Sequence, residues 1–233
     1  MATHDKEIRN GLLTLLKGKT WTDYEIVCEG EAIPVHRVIL CSASRVFKAA
    51  CSAEFKEANG TYQIDDYPLW AVRSMVDYIY SGTYDEKKYS QGDDGKKSEL
   101  HITMFALGDR YIIPGLKKYA CERYRSMLIR RVLSPADFIL SVANVYKTTP
   151  HTVRDLRNAA VCYAVRRYRK VLLSSEIKPL YNSLISDCPD FASDLLAEFM
   201  SEERDGDYHY GPMKLQDCED FEDFEDFAIG NWA

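Results

Sequence analysis

The order of local signals along the chain predicts an α+β fold followed by a stretch that is helical alone. Three observations carry this reading. Apolar and polar residues alternate on both sides of a Glu29-Gly30 turn and again after Asn59-Gly60. A helical period runs through residues 7–16 and 68–81. From Glu99 to about Met200 the pattern is helical throughout. Strands interleaved with helices and then helices alone is the sequence mark of α+β architecture with an all-α addition.

Each element has its own local reason. Ile8, Leu12, Leu15 and Leu16 lie at spacings of four, three and one, an amphipathic helix that Gly18 closes. Asp23 to Cys28 and Glu31 to Val35 alternate around a two-residue turn containing glycine, which predicts a β-hairpin. Pro34 has no N–H for a ladder bond, so its strand is expected at an edge. Two short helices, His36 to Cys41 and Ser44 to Cys51, are expected around a break at 42–44, with Ser44 as N-cap. Thr61 to Asp65 reads as a strand. Pro68 then opens a helix carrying Val72, Met75, Val76, Ile79 and Tyr80 on one face, closed by Gly82. Thr83 to Asp85 reads as a further short strand, and residues 86–98, rich in Gly, Asp, Ser and Lys, as a surface loop. Helices are expected over Leu100–Tyr111, Pro114–Ile129, Pro135–Tyr146, Val153–Tyr168, Ser175–Leu184 and Phe191–Met200.

Composition bounds the class. The chain has 233 residues, 46% of them apolar and 28% charged, which excludes a disordered, collagen-like or disulfide-stapled protein. Apolar runs are only a few residues long, far short of the roughly 20 that span a bilayer, so no membrane partner is implied. The polar stretch Met1 to Asn10 lacks the apolar core of a secretion signal. The formal charge is −6, but residues 201–233 hold eleven acidic residues against Arg204 and Lys214, a net of −9, leaving residues 1–200 at +3. This acidic tail contains three Glu-Asp-Phe triplets, ending at Phe221, Phe224 and Phe227, and is expected to stay disordered when free. The seven cysteines form no C-x-x-C pair and mostly neighbour apolar residues, as reduced core cysteines in an intracellular protein of nucleus or cytoplasm would.

Several separated motifs, in order, carry a family resemblance. They are Thr22-Asp-Tyr-Glu-Ile-Val27, Ile33-Pro-Val-His-Arg-Val-Ile-Leu40, Ser42-Ala-Ser-Arg-Val-Phe47, Ile64-Asp-Asp-Tyr-Pro68 and Val76-Asp-Tyr-Ile-Tyr-Ser-Gly82. Together they resemble a BTB/POZ domain. Ala143-Asn-Val-Tyr146, Thr149-Pro150 and Leu156-Arg157 resemble the helical extension of short fungal BTB proteins. The resemblance implies a BTB/POZ domain over 1–127, a helical extension over 128–200 and the acidic tail over 201–233. It further implies an interaction module that homodimerises through its first helix, here Ile8, Leu12, Leu13, Leu15 and Leu16. Those leucines cover well over half of a helical circumference, more than one core-facing stripe needs; packing wholly within the subunit is the alternative. Adaptors of this family that recruit the ubiquitin-ligase scaffold cullin-3 often carry an apolar-x-Glu motif after the Ser-x-x-Phe helix. Phe55-Lys56-Glu57 fits that motif, so Phe55 and Glu57 are the implied cullin contact; a local core role for Phe55 with Glu57 solvated is the alternative. The family's Asp and His map onto Asp23 and His36, both expected to be structural. The target protein of such an adaptor is not legible.

Other chemistries find little purchase. No G-x-S-x-G elbow, H-E-x-x-H, Cys/His cluster or phosphate loop is present, so no catalytic, metal or cofactor site and no enzyme is expected. The alternative function is a nuclear chromatin- or transcription-associated factor. Arg154, Arg157, Arg166, Arg167, Arg169 and Lys170, offset by Asp155, give one expected helix a net +5 that could meet nucleic acid. No DNA-reading motif accompanies it, and the acidic tail competes for the same surface, so nucleic acid is disfavoured as a partner.

Overall fold

The computed structural model describes residues 2–52, 59–168 and 177–201. Helix α1 (Ala2–Lys17) leads into a hairpin of β1 (Tyr24–Cys28) and β2 (Glu31–Val35), then α2 (Arg37–Ala43) and α3 (Arg45–Ala50). Strand β3 (Thr61–Ile64) precedes α4 (Leu69–Ser81), α5 (Glu86–Ser90), α6 (Asp94–Arg110) and α7 (Pro114–Ile129). Helices α8 (Pro135–Thr148), α9 (Asp155–Tyr163), α10 (Lys178–Asp187) and α11 (Pro189–Ser201) follow.

Among the described residues the sheet has three strands in the order β2-β1-β3. Antiparallel pairing sets Tyr24 opposite Val35 and Cys28 opposite Glu31. Glu29 (φ 51°) and Gly30 (φ 79°) both take the left-handed conformation, the backbone a two-residue hairpin turn needs to match strand twist. Strand β3 adds in parallel on the other side of β1, Glu25 beside Thr61 and Cys28 beside Ile64. Pro34 therefore lies in an edge strand. Central β1 buries Tyr24, Ile26 and Cys28 and exposes Glu25, the alternation of a sheet with one covered face.

Caps delimit the helices. The Ser44 hydroxyl accepts from Phe47 N–H (3.1 Å), so one residue, not three, separates α2 from α3. Gly82 ends α4 at φ 80°, its N–H donating to Tyr78 O at 2.7 Å.

Two expectations between α4 and α6 are overturned. Residues 83–85 are not a strand; Tyr84 is buried there. Most of 86–98 is not a loop but α5 and the start of α6. The Asp85 carboxylate accepts from Lys87 and Lys88 N–H, and Asp93 accepts from Lys96 N–H, so aspartates that read as turn formers are N-caps. The 153–168 segment also departs from one regular helix: α9 ends at Tyr163 and continues as a π-helical turn, Ala164–Tyr168.

One apolar cluster joins the whole. It runs from Tyr24, Ile26 and Phe47 through Met75, Phe105 and Tyr124 to Phe138, Val142, Leu156 and Phe191. Helix α6 is its axle, packed on α4, α5, α7 and α8. At Gly108 a Cβ would stand 2.6 Å from Lys117 N, so α6 and α7 approach too closely for any side chain there. The six described cysteines are free; Cys28 and Cys121 are buried, and burial pushes the Cys121 thiol up to about 11.

Candidate interaction surfaces

Helix α1 rides on α4. Leu12, Leu13 and Leu16 pack half-buried against the core and Leu15 is also half-buried, whereas Ile8 remains 50% exposed. An end-on contact fixes the helix. Arg9 Nη1 donates to Ser81 O at 3.1 Å, placing a cation on the carbonyl end of α4. A Cβ on Gly82 would meet that guanidinium, so the glycine is required by its positive φ and by this close approach.

The connection from α1 to β1 carries a residue that sequence reasoning passed over. Trp21 is 79% exposed and held at φ 59°, a conformation uncommon for a bulky side chain. The surrounding turn is tied down on both sides. Thr20 N–H donates to Leu15 O (3.0 Å), and Lys19 N–H donates to Leu16 O (3.1 Å). An indole presented by an ordered turn loses little entropy on contact, which is why tryptophan is enriched at binding anchors. A large aromatic in an otherwise polar helix-to-strand connection was the available signal.

His36 and Asp23 brace the same region. His36 Nε2 lies 2.9 Å from Thr20 O, an acceptor, so Nε2 carries the proton. Nδ1 then accepts from the Tyr80 hydroxyl at 2.7 Å, and that oxygen accepts the His36 backbone N–H at 2.8 Å. The Asp23 carboxylate accepts Arg37 N–H at 2.7 Å, at the first residue of α2. Every polar group in this cluster has a partner within the subunit, and it positions the Trp21 turn through Thr20.

Phe55 and Glu57 lie outside the described residues, as do Phe221, Phe224, Phe227 and most of the acidic tail. The ends that flank 53–58 are placed. Helix α3 stops at Ala50, and Ser44 Oγ donates to Tyr111 O at 2.5 Å while Phe47 stacks on Tyr111, centroids 5.1 Å apart. The turn between α6 and α7 is thus clamped to the base of α3. That turn exposes Ile112 at φ 50°.

The basic stretch considered for nucleic acid is rearranged by folding. Arg157 is 4% exposed, lies 4.4 Å over the Tyr146 ring, and donates from Nη2 to Thr149 O (2.5 Å) and Tyr146 O (3.3 Å). Its Nη1 reaches Asp190 Oδ2 at 3.5 Å. Arg154 pairs with Asp194 at 3.0 Å, and the Tyr146 hydroxyl donates to the same carboxylate oxygen at 2.5 Å. Two of the six cations therefore join α8 and α9 to α11 instead of facing solvent. Arg166 is exposed, and Arg169 and Lys170 lie outside the described residues.

Among the described residues no group of His, Cys, Asp and Glu could hold a metal ion, and no helix is long and apolar enough to cross a membrane.

The molecule thus presents a three-stranded sheet capped by helices, a leading helix docked across α4, and an αL glycine after Tyr80-Ser81. A family model for the BTB/POZ domain matches residues 12–127. These residues form a BTB/POZ domain. That domain is a protein-interaction fold. A BTB/POZ domain-containing protein of Arabidopsis thaliana is 26% identical over 172 residues, 73% of this chain and 62% of the relative. Kelch-like protein 2 of Mus musculus is 28% identical over 185 residues, 78% of this chain and 27% of the relative. The BTB domain of zebrafish PATZ1 covers 52% of this chain and 92% of its own, at 15% identity and a TM-score of 0.42. The chain spans 62% of that Arabidopsis thaliana relative and 58% of a second BTB/POZ domain-containing protein of the same organism, about three fifths of each.

Proposed function

We propose that the protein is a self-associating adaptor, with residues 128–200 serving as the helical extension of its BTB/POZ domain. The observation that carries this is apolar surface left uncovered around α1: Ile8 and Trp21 exposed, with Leu12, Leu13, Leu15 and Leu16 only half-buried. A helix of this length is marginal by itself in water, and one that keeps its leucines half-wet gains by burying them against a second copy. BTB domains commonly self-associate. Trp21 is the natural anchor of such a contact, with the α1 leucines around it.

The second part of the proposal is cullin-3 recruitment through Phe55 and Glu57. Kelch-like relatives support it, as does the motif's place after α3. An aromatic ring can fill a partner pocket while the carboxylate fixes orientation by a charge-assisted bond.

Sedimentation velocity of the full chain at micromolar concentration tests self-association. The expected result is a dimer that Trp21→Ser together with Leu12→Ser converts to monomer. A monomeric parent chain refutes it. For recruitment, cullin-3 is expected to co-purify from native extract and to be lost on Phe55→Ala or Glu57→Lys while the dimer persists. Retention in both variants refutes that part alone.

A further inference from the structure

The turn that closes α7 offers a surface that self-association through α1 does not use. Arg130 caps the helix, and Arg131 follows at φ 56°, the left-handed conformation that favours glycine. The turn is ordered: Arg131 N–H donates to Leu128 O at 3.2 Å, and Val132 N–H donates to Met127 O at 3.1 Å. Ile129 and Val132 are 43% and 39% exposed on it, and both arginines are exposed as well. Two exposed apolar residues three apart thus bracket two exposed arginines.

The acidic tail repeats the same spacing with the opposite sign. Phe221-Glu222-Asp223-Phe224 and Phe224-Glu225-Asp226-Phe227 each set two aromatics three apart around two carboxylates. Other surfaces suit these triplets less well. Leu196 and Met200, four residues apart on α11, are 61% and 63% exposed. Residues 177–200, however, carry Lys178 against Asp187, Asp190, Asp194 and Glu198, a net of −3, so this region repels an acidic segment. Residues 1–176 carry the balance, +6. Within the basic stretch, Arg154 and Arg157 already hold Asp194 and Asp190.

We infer that the Phe221–Phe227 segment of this chain docks on the turn at Ile129–Val132. Its phenyl rings cover the two aliphatic side chains while its carboxylates meet Arg131. The arginines also offset the negative end of the α7 dipole, which would otherwise repel carboxylates. Tether length permits the contact. From Ser201 at the end of α11 to Phe221 are 20 residues, which as flexible chain span about 25 Å on average. Helix α11 packs on α9, and α9 packs on α7, so both ends of the tether belong to one bundle. Tethering supplies an effective concentration of the order of 1 mM, so even a weak contact is well populated.

The test places the photo-crosslinking residue benzoylphenylalanine at position 224 of the full chain, with crosslinks mapped by mass spectrometry. The expected product has the mass of a single chain and joins position 224 to the peptide that holds residues 129–132. Ile129→Ser/Val132→Ser is expected to lower its yield at least fivefold, and raising NaCl from about 50 to about 500 mM is expected to lower it as well. Arg131→Gly removes the cation where glycine suits the backbone, so it keeps the fold, which circular dichroism checks, and is expected to lower the yield at least threefold. Val38→Ser, at an exposed position on α2, is expected to leave it unchanged. Crosslinks concentrated at Arg166 or on α11 overturn the inference, as do products joining two chains, or yields that Arg131→Gly and Ile129→Ser/Val132→Ser leave unaltered. The two-chain outcome assigns the turn to a second copy.

Discussion

His101 couples the stability of this fold to pH in a way that can be worked from its surroundings. The ring is 1% exposed on α6, and Nδ1 lies 2.8 Å from the Tyr84 hydroxyl. Burial lowers its pKa to about 3 from an ordinary 6.5, with Arg123 and Lys97 adding repulsion. Glu86 stands 3.7 Å from Nε2 and would favour the imidazolium, but Arg123 already claims that carboxylate at 2.6 Å. The folded state therefore keeps His101 neutral where the unfolded chain binds a proton. With the folded pKa depressed, the unfolded state binds more protons between about pH 6.5 and 3, so stability falls as pH falls through that window, by ~1.4 kcal/mol per unit. Going from about pH 7 to about pH 5.5 removes about 1.2 kcal/mol through this one group. Urea unfolding of the parent chain and of His101→Asn at both pH values isolates the effect. Asparagine retains an acceptor for Tyr84 and does not titrate, so its pH slope is expected to be shallower by that amount. Parallel slopes, or an imidazole titration near 6.5 in the folded protein followed by NMR, would refute the reasoning.

Other outcomes follow from packing and charge. Gly108→Ala forces a methyl within 2.6 Å of Lys117 N and is expected to destabilise by about 1–3 kcal/mol in urea, the range for overpacking. Unchanged stability there would mean that α6 and α7 are not in such close contact. Arg157→Ala removes the buried cation that serves Thr149 O, Tyr146 O and Asp190, with an expected loss of about 3 kcal/mol and earlier exchange of α11 amides than of β1 amides. A surface role for Arg157 instead predicts a loss under about 0.5 kcal/mol.

Elements whose signals are local were legible in the chain alone. The hairpin ends at Cys28 and resumes at Glu31 because Glu29-Gly30 takes two left-handed residues, and α4 ends where Gly82 permits its cap. Ser44, Pro114 and Pro135 mark helix starts by chemistry that acts over a few residues. The ordered set of motifs also identified the BTB/POZ domain. Whatever depends on distant partners was settled only by folding. Asp85 and Asp93 look like turn formers until the helices they cap pack onto the core, through contacts such as Tyr89 stacked on Trp70 at 3.9 Å. Arg154 and Arg157 look like a solvated basic run until α11 brings Asp194 and Asp190 against them. The polar connection around Trp21 marks it as unusual, but that it stays in solvent while Phe47 is fully buried is set by which surfaces the rest of the chain covers. Dihedral and capping preferences are written within a few residues of one another, whereas burial and charge pairing are properties of surfaces that meet only after folding.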